Sequence, residues 1–277
     1  MKNVLSIAGS DCSAGAGIQA DLKTFVANGV YGMTVITSLT AQNPQKVKML
    51  EDVSIEMLEK QIEAIFDIME VSAVKIGMLN SKENGEVIYE KLLKYKVKNI
   101  VLDPVMIATS GNSLIREETK RFLVNELFKI ADIITPNLDE TKEIVKIILN
   151  KENIEDIDSI EKMKIYGKII ADFTKRWVLI KGGHLSNSAV DILMNKDGIY
   201  ILEGEKISSN NTHGTGCSLS SAIASNLAKG YSMLEAVKKA KSFVLYSIKN
   251  SIDFGEISGT VNQMGEIYKN IDIEKLY

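Results

Sequence analysis

Cysteine, proline, arginine and histidine are all scarce in this 277-residue chain. Two cysteines, Cys12 and Cys217, cannot make a disulfide framework; they fit a reducing compartment, and the expected location is cytoplasmic. His184 and His213 are the only histidines, which leaves a Ser-His-Asp hydrolase few places for its base. No H-E-x-x-H and no Cys/His cluster of zinc-ligand spacing occurs. Arg116, Arg121 and Arg176 are the only arginines and the net charge is −3, so no basic footprint for nucleic acid is present. No run of ~18 apolar residues is found, so no membrane span is expected. The start, MKNVLSIAGS, is too short in apolar length for a signal peptide and reads as a buried strand. G-x-x-x-x-G-K-[ST] is absent, which excludes a P-loop. With three prolines, no Pro/Gly linker and no repeat, one domain over residues 1–277 is expected.

What is present is a chain with 45% apolar and 25% charged residues, enough to bury a core. Short apolar runs alternate with stretches of helical period. Asn3–Ala8, Thr34–Leu39, Ala73–Met78, Asn99–Leu102, Ile133–Ile134 and Trp177–Lys181 read as strands. Between them, Ile55, Leu58, Ile62, Ile65 and Met69 recur at spacings of three and four, which predicts a helix. Helices are also expected around Val87–Leu93, Thr119–Phe128 and Leu138–Leu149. This order predicts a three-layer α/β/α fold with a central, mostly parallel sheet. Ala189–Met194 and Ile199–Leu202, joined by Asn195-Lys196-Asp197-Gly198, predict a late antiparallel hairpin. Leu219–Ala228 and Leu234–Ile248 are helical again. Ligands of such sheets bind beyond the carboxyl ends of the strands, so functional residues are expected just after them.

Two glycine-rich segments stand out. Gly15-Ala16-Gly17-Ile18-Gln19-Ala20 fits the dinucleotide pattern G-x-G-x-x-G/A between a strand and a helix. Against that reading, the strand ends earlier, at Gly9, and the next strand ends in Thr37-Ser38-Leu39-Thr40, without a carboxylate for a ribose. The second segment, Asn211-Thr212-His213-Gly214-Thr215-Gly216-Cys217-Ser218, runs straight into an apolar helical face. Its glycines let the backbone approach a ligand, and the helix start aims unpaired N–H groups at one point, an anion site that needs no lysine. Cys217 falls in the first turn, where the helix dipole is expected to lower the thiol pKa.

Taken in order, Ala8-Gly9-Ser10-Asp11, Gly15 to Phe25, Thr40-Ala41-Gln42-Asn43, Lys75 to Leu79, Asp103-Pro104-Val105-Met106, Ser110-Gly111, Thr135 to Glu140, Lys181-Gly182-Gly183-His184 and Asn211 to Cys217 resemble the ribokinase-like superfamily. Within it they are similar to the hydroxymethylpyrimidine/phosphomethylpyrimidine kinases of thiamine biosynthesis. Cys217 discriminates best, because most ribokinase relatives carry Asp there. The resemblance implies a ribokinase-like fold, ATP as co-substrate, Mg²⁺, a homodimer, and two successive phosphorylations of a small aminopyrimidine. Pyridoxal kinase activity is the nearest alternative, and a non-catalytic ligand-binding regulator on the same fold is another.

The resemblance also implies roles. Gly214, Thr215 and Gly216 would hold the transferring phosphoryl group beside Cys217, the base, with Lys181 on the phosphates. Asn137, Glu140, Thr212 and Lys181 would contact ATP, and Asp103 and Glu140 would meet Mg²⁺ through water. Gly9, Asp21, Gln42, Met78 and Cys217 would contact the substrate. Read without the resemblance, Asn137 and Glu140 form a capping box, Asp21 is a solvated helix residue, Gln42 a turn residue and Met78 core. One departure is Ile107-Ala108-Thr109-Ser110-Gly111, where relatives often carry Lys before Ser-Gly; Thr109 in its place is expected to weaken the second phosphorylation.

Overall fold

The computed structural model describes residues 1–106, 115–183, 189–255 and 257–270. Its elements are β1 (Asn3–Asp11), α1 (Gly17–Ala27), β2 (Tyr31–Asn43), β3 (Lys46–Asp52), α2 (Ile55–Phe66), β4 (Ala73–Ile76), α3 (Lys82–Lys94), β5 (Ile100–Leu102), α4 (Glu117–Phe122), a π turn (Leu123–Leu127), α5 (Phe128–Ile130), β6 (Ile133–Ile134), α6 (Leu138–Leu149), α7 (Ile160–Thr174), β7 (Trp177–Ile180), β8 (Asp191–Met194), β9 (Ile199–Leu202), α8 (Thr215–Ala228), α9 (Met233–Lys249) and α10 (Gly265–Asn270).

The nine strands form one sheet in the order β3-β2-β1-β4-β5-β6-β7-β8-β9. Neighbours from β2 through β7 run parallel. The edges are antiparallel: β2 with β3, β7 with β8, and β8 with β9. The late hairpin is therefore where the sequence predicts it. The first hairpin, β2–β3, is not foreseen. Its signal fails because Val47 and Met49 are 39% and 61% exposed and Leu50, on the other face, is only half-buried, so no face of β3 is marked as core.

Strand alternation divides the core in two. Leu5, Ile7, Val74 and Ile76 face α2, α3, α6 and α7 through Leu58, Ile88, Ile144 and Ile170. Val4, Ala73, Val101 and Leu179 face α1, α8 and α9 through Phe25, Ile223 and Val237. The same period of two puts Ser6 of β1 and Lys75 of β4 on the α1/α8 side. The segment expected as one helix over Thr119–Phe128 is divided by the π turn.

Strand order reverses at β1, which pairs in parallel with β2 on one side and with β4 on the other. That crevice is the switch point at which open α/β sheets bind ligands. Among the described residues, no helix is long and apolar enough to cross a membrane.

Candidate active site

Helix ends set up the site. Ser54, Ser81, Asn137, Ser159 and Ser232 each cap a helix with a side-chain oxygen. α1 and α8, by contrast, start at Ala16 and Gly214 with no side-chain cap. At α1 another group fills the vacancy: Ala16 N–H donates to Asp11 Oδ2 (2.8 Å). At α8, Thr215 N–H donates to the Thr212 carbonyl (3.2 Å). The N–H groups of Gly216 and Cys217 find no partner among the described residues. These are the open donors that an anion site requires.

The two glycine segments prove to be one structure. Gly214 has φ +87°, and a Cβ there would lie 1.9 Å from the Gly15 carbonyl oxygen. Gly17, at φ +58°, packs against the Gly9 carbonyl in the same way, with a Cβ at 2.4 Å. His213 Nε2 meets Asp11 Oδ2 at 3.0 Å, and Thr260 Oγ1 donates to the His213 carbonyl (2.9 Å). The first segment thus buttresses the second. Burial pushes the Asp11 carboxyl up, but hydrogen bonds from His213, Ser13 and the Ala16 amide outweigh it and hold its pKa at about 2. The role of His213 and Asp11, 202 positions apart, is missed by sequence reasoning, which has no signal for a contact at that separation.

Opposite the open amides stand Asp103, Lys181 and Glu140. Asp103 follows β5 and Lys181 follows β7, both at the carboxyl edge. Lys181 Nζ lies 2.9 Å from Asp103 Oδ1 and 3.9 Å from Glu140 Oε2. Thr135 Oγ1 also donates to Asp103 Oδ1 (3.0 Å). Burial works against the Lys181 charge, yet Asp103 and Glu140 hold its pKa above the usual lysine value. Burial also raises Asp103, but Lys181 and Lys75 pull it below the ordinary range. For Glu140 burial wins over Lys181, and its pKa rises to about 7. Asn137 and Glu140 do form a reciprocal capping box: Glu140 Oε2 accepts from Asn137 N–H and Asn137 Oδ1 from Glu140 N–H, both at 2.8 Å. The cap aims Glu140 at Lys181, so the capping and site readings hold together.

The expected substrate residues divide. Gly9 and Met78 meet: a Cβ on Gly9 would fall 2.7 Å from Met78 Cε, so a side chain there would push the half-buried methionine tip off β1. Gln42 is half-buried at the end of β2 with its Oε1 3.1 Å from Thr40 Oγ1. Asp21 departs from both expectations. It is neither solvated nor open to a ligand: it is fully buried, paired with Lys75 (2.8 Å), and accepts from Ser6 and Ser221. Cys217 also departs from expectation. Burial raises its thiol to about 11, against a smaller opposing pull from Lys75, so the thiol form is favoured over thiolate. Thr212 is exposed, and its carbonyl accepts from Thr215 Oγ1 (2.7 Å). Thr109, Ser110, Gly111 and His184 lie outside the described residues.

A phosphomethylpyrimidine kinase family profile matches residues 11–262. The chain belongs to the phosphomethylpyrimidine kinase family. A hydroxymethylpyrimidine/phosphomethylpyrimidine kinase of Staphylococcus aureus is 39% identical over 271 residues, covering 97% of this chain and 95% of the relative. The crystal structure of phosphomethylpyrimidine kinase from Clostridium difficile is 45% identical and superposes with a TM-score of 0.79, over 90% of this chain and all of that one. An ADP complex of Bacillus subtilis pyridoxal kinase is 33% identical with a TM-score of 0.88, over 96% of this chain and 99% of that one. In this kinase family setting, the uncapped start of α8 facing Asp103 and Lys181 is the arrangement to be explained.

Proposed function

We propose that this chain transfers the terminal phosphoryl group of ATP to the hydroxymethyl oxygen of 4-amino-5-hydroxymethyl-2-methylpyrimidine, and then a second one to the monophosphate. The observation that carries the reading is the pair of open amides at Gly216 and Cys217, facing the Asp103–Lys181 pair beyond the carboxyl ends of β5 and β7.

Phosphoryl transfer asks for in-line placement and charge neutralisation rather than covalent chemistry. In this reading Gly214, Thr215 and Gly216 cradle the migrating phosphoryl group, and Lys181 adds a positive charge to it. Asn137, Glu140 and Thr212 line the nucleotide side. The ring lies between Met78, Gly9 and Gln42, whose carboxamide can both donate to and accept from an aminopyrimidine edge. As the new oxygen–phosphorus bond forms and the bond to the ADP oxygen breaks, the hydroxyl proton passes to the Cys217 thiolate, the thiol having first lost its proton to solvent.

Mg²⁺ fits the donor set. Asp103 and Glu140 present hard carboxylate oxygens around a place already occupied by a cationic group. Among the described residues no three His, Cys, Asp or Glu side chains close around a metal, which suits an ion held by these two through water. Bound there, it would neutralise phosphate charge. A homodimer belongs to the same proposal, and light scattering on the purified chain checks it.

The test is substrate-dependent ADP release with the pyrimidine alcohol, its monophosphate, pyridoxal and ribose side by side. Turnover of both pyrimidines that is lost in Cys217→Ala supports the reading. Turnover fastest on pyridoxal would favour the second reading, which the similarity to the pyridoxal kinase makes specific. No ADP release with any acceptor would leave the regulator.

A further inference from the structure

Beneath the Cys217 sulfur lies a charge pair that the proposed mechanism does not use. α1 packs on α8, and one helical turn beyond Cys217, Ser221 Oγ donates to Asp21 Oδ1 at 2.7 Å. Lys75 Nζ then meets both Asp21 oxygens, at 2.9 and 2.8 Å, and Ser6 Oγ closes the cluster at 2.5 Å. Ser6, Asp21, Lys75 and Ser221 are all fully buried. A buried ion pair is seldom more stable than apolar residues of the same volume. Its position one helical turn from a candidate proton acceptor therefore calls for a role other than stability.

We propose that Lys75, gripped by Asp21, is a positioning residue for the reaction: its ammonium is the fixed counter-charge for the Cys217 thiolate, and Asp21 sets how strongly that charge is felt. The inference rests on the reading of Cys217 as proton acceptor and adds a residue to it. Four charges face the sulfur: Lys75 from β4, Asp21 from α1, Asp103 after β5 and Lys181 after β7. Of these, Lys75 exerts the largest pull toward thiolate, while Asp21 and Asp103 oppose it. The two halves of one ion pair thus act on the sulfur with opposite sign. A purely structural pair would not: breaking it from either side would loosen the same packing.

The experiment measures alkylation of Cys217 by iodoacetamide, without ATP or substrate, in a Cys12→Ser background that leaves one thiol. At pH 8.5, far below the thiol's ionisation, the rate is proportional to the thiolate fraction. Asp21→Asn is expected to speed alkylation about threefold and Lys75→Met to slow it about tenfold, shifts of roughly half a pH unit and one pH unit in opposite directions. The double variant Asp21→Asn/Lys75→Met leaves no unpaired buried ion and so keeps the test valid if a single variant fails to fold. It is expected between wild type and Lys75→Met, because Lys75 has the larger effect. Shifts of the same sign in both single variants, or a double variant equal to or faster than wild type, would overturn the proposal. Because no turnover is measured, this outcome is independent of whether the pyrimidine is the substrate.

Discussion

Replacing Gly214 by alanine tests the anion site at its hinge. The residue sits at φ +87°, where an L side chain costs ~1–2 kcal/mol. The new Cβ would lie 1.9 Å from the Gly15 carbonyl oxygen, so one of the two loops must move. Overpacking of this kind costs ~1–3 kcal/mol. The sum, about 2–5 kcal/mol, falls within a typical stability of ~5–15 kcal/mol, so the variant folds with a lower Tm. The displaced loop carries the open amides of α8 away from their target. Losing one such donor costs on the order of 10²–10³ in rate. Gly216→Ala separates the two effects. Its Cβ would sit 3.3 Å from Asp103 Oδ2 and 3.5 Å from Lys181 Nζ, so Asp103 must give by a few tenths of an ångström, far less than the loops must move at Gly214. Alanine in the helix adds up to ~1 kcal/mol over glycine. Its Tm should equal or exceed that of wild type, while kcat falls at least about 10²-fold because the methyl fills the gap in front of the amides. Thermal melts and ADP-release kinetics on both variants decide it. A Gly216→Ala enzyme with kcat within about twofold of wild type would refute the reasoning, since the rate effect predicted is far larger.

Two further outcomes follow from charge. Asp11 has a folded-state pKa of about 2, below its unfolded value near ~3.9. Its contribution is therefore present above pH ~4 and is lost as pH falls toward 2, about 1–2 kcal/mol after solvent screening. Asp11→Asn should lower stability at pH 6 and flatten the pH 4-to-2 slope in denaturant titrations; an unchanged slope would disprove the His213–Asp11 assignment. Lys181→Met should lower kcat by about 10²–10³ while leaving the pyrimidine KM nearly unchanged, because the lysine faces the phosphates rather than the ring. A rise in KM alone, by steady-state kinetics, would place Lys181 on the wrong substrate.

The sheet was legible because each parallel strand is a short apolar run followed by a helical stripe, as Ala73–Met78 and Asn99–Leu102 are. β3 was not, because its apolar residues, Val47, Met49 and Leu50, fall on both faces and none is fully buried, so they give no alternating pattern. The start of α8 was legible for a local reason: glycines, a missing cap and an apolar face are all neighbours in sequence. Contacts that depend on packing were not. Lys75 inside an otherwise apolar strand was a signal of a buried charge, but nothing local names Asp21 as its partner. The Cys217 expectation was overturned for the same reason. The helix-start rule is local and lowers the pKa, whereas desolvation comes from α1 and the sheet and is larger.

That reversal makes the pH dependence of turnover the sharpest measure of the sulfur's role. With its thiol at about 11, Cys217 is four units from ionisation at pH 7, which costs about 5 kcal/mol. Kinase turnover at ~1–100 s⁻¹ corresponds to a barrier of about 15–17 kcal/mol. Forming the thiolate would take up about a third of it, so a raised pKa does not exclude the role but must leave its mark. The ionised form grows tenfold per pH unit below 11. Glu140, at about 7, completes its own titration below the window of interest. Between pH 8 and 9.5, roughly, kcat should therefore rise with a slope near one if the thiolate accepts the proton. Cys217→Asp puts a carboxylate that is already ionised in the same place and should flatten that slope. Cys217→Ser should lose at least about 10³ in rate, because its hydroxyl is harder still to ionise. A flat wild-type profile together with an active serine variant would mean that the hydroxyl proton leaves late, onto the phosphoryl oxygens, and that the sulfur only shapes the hole.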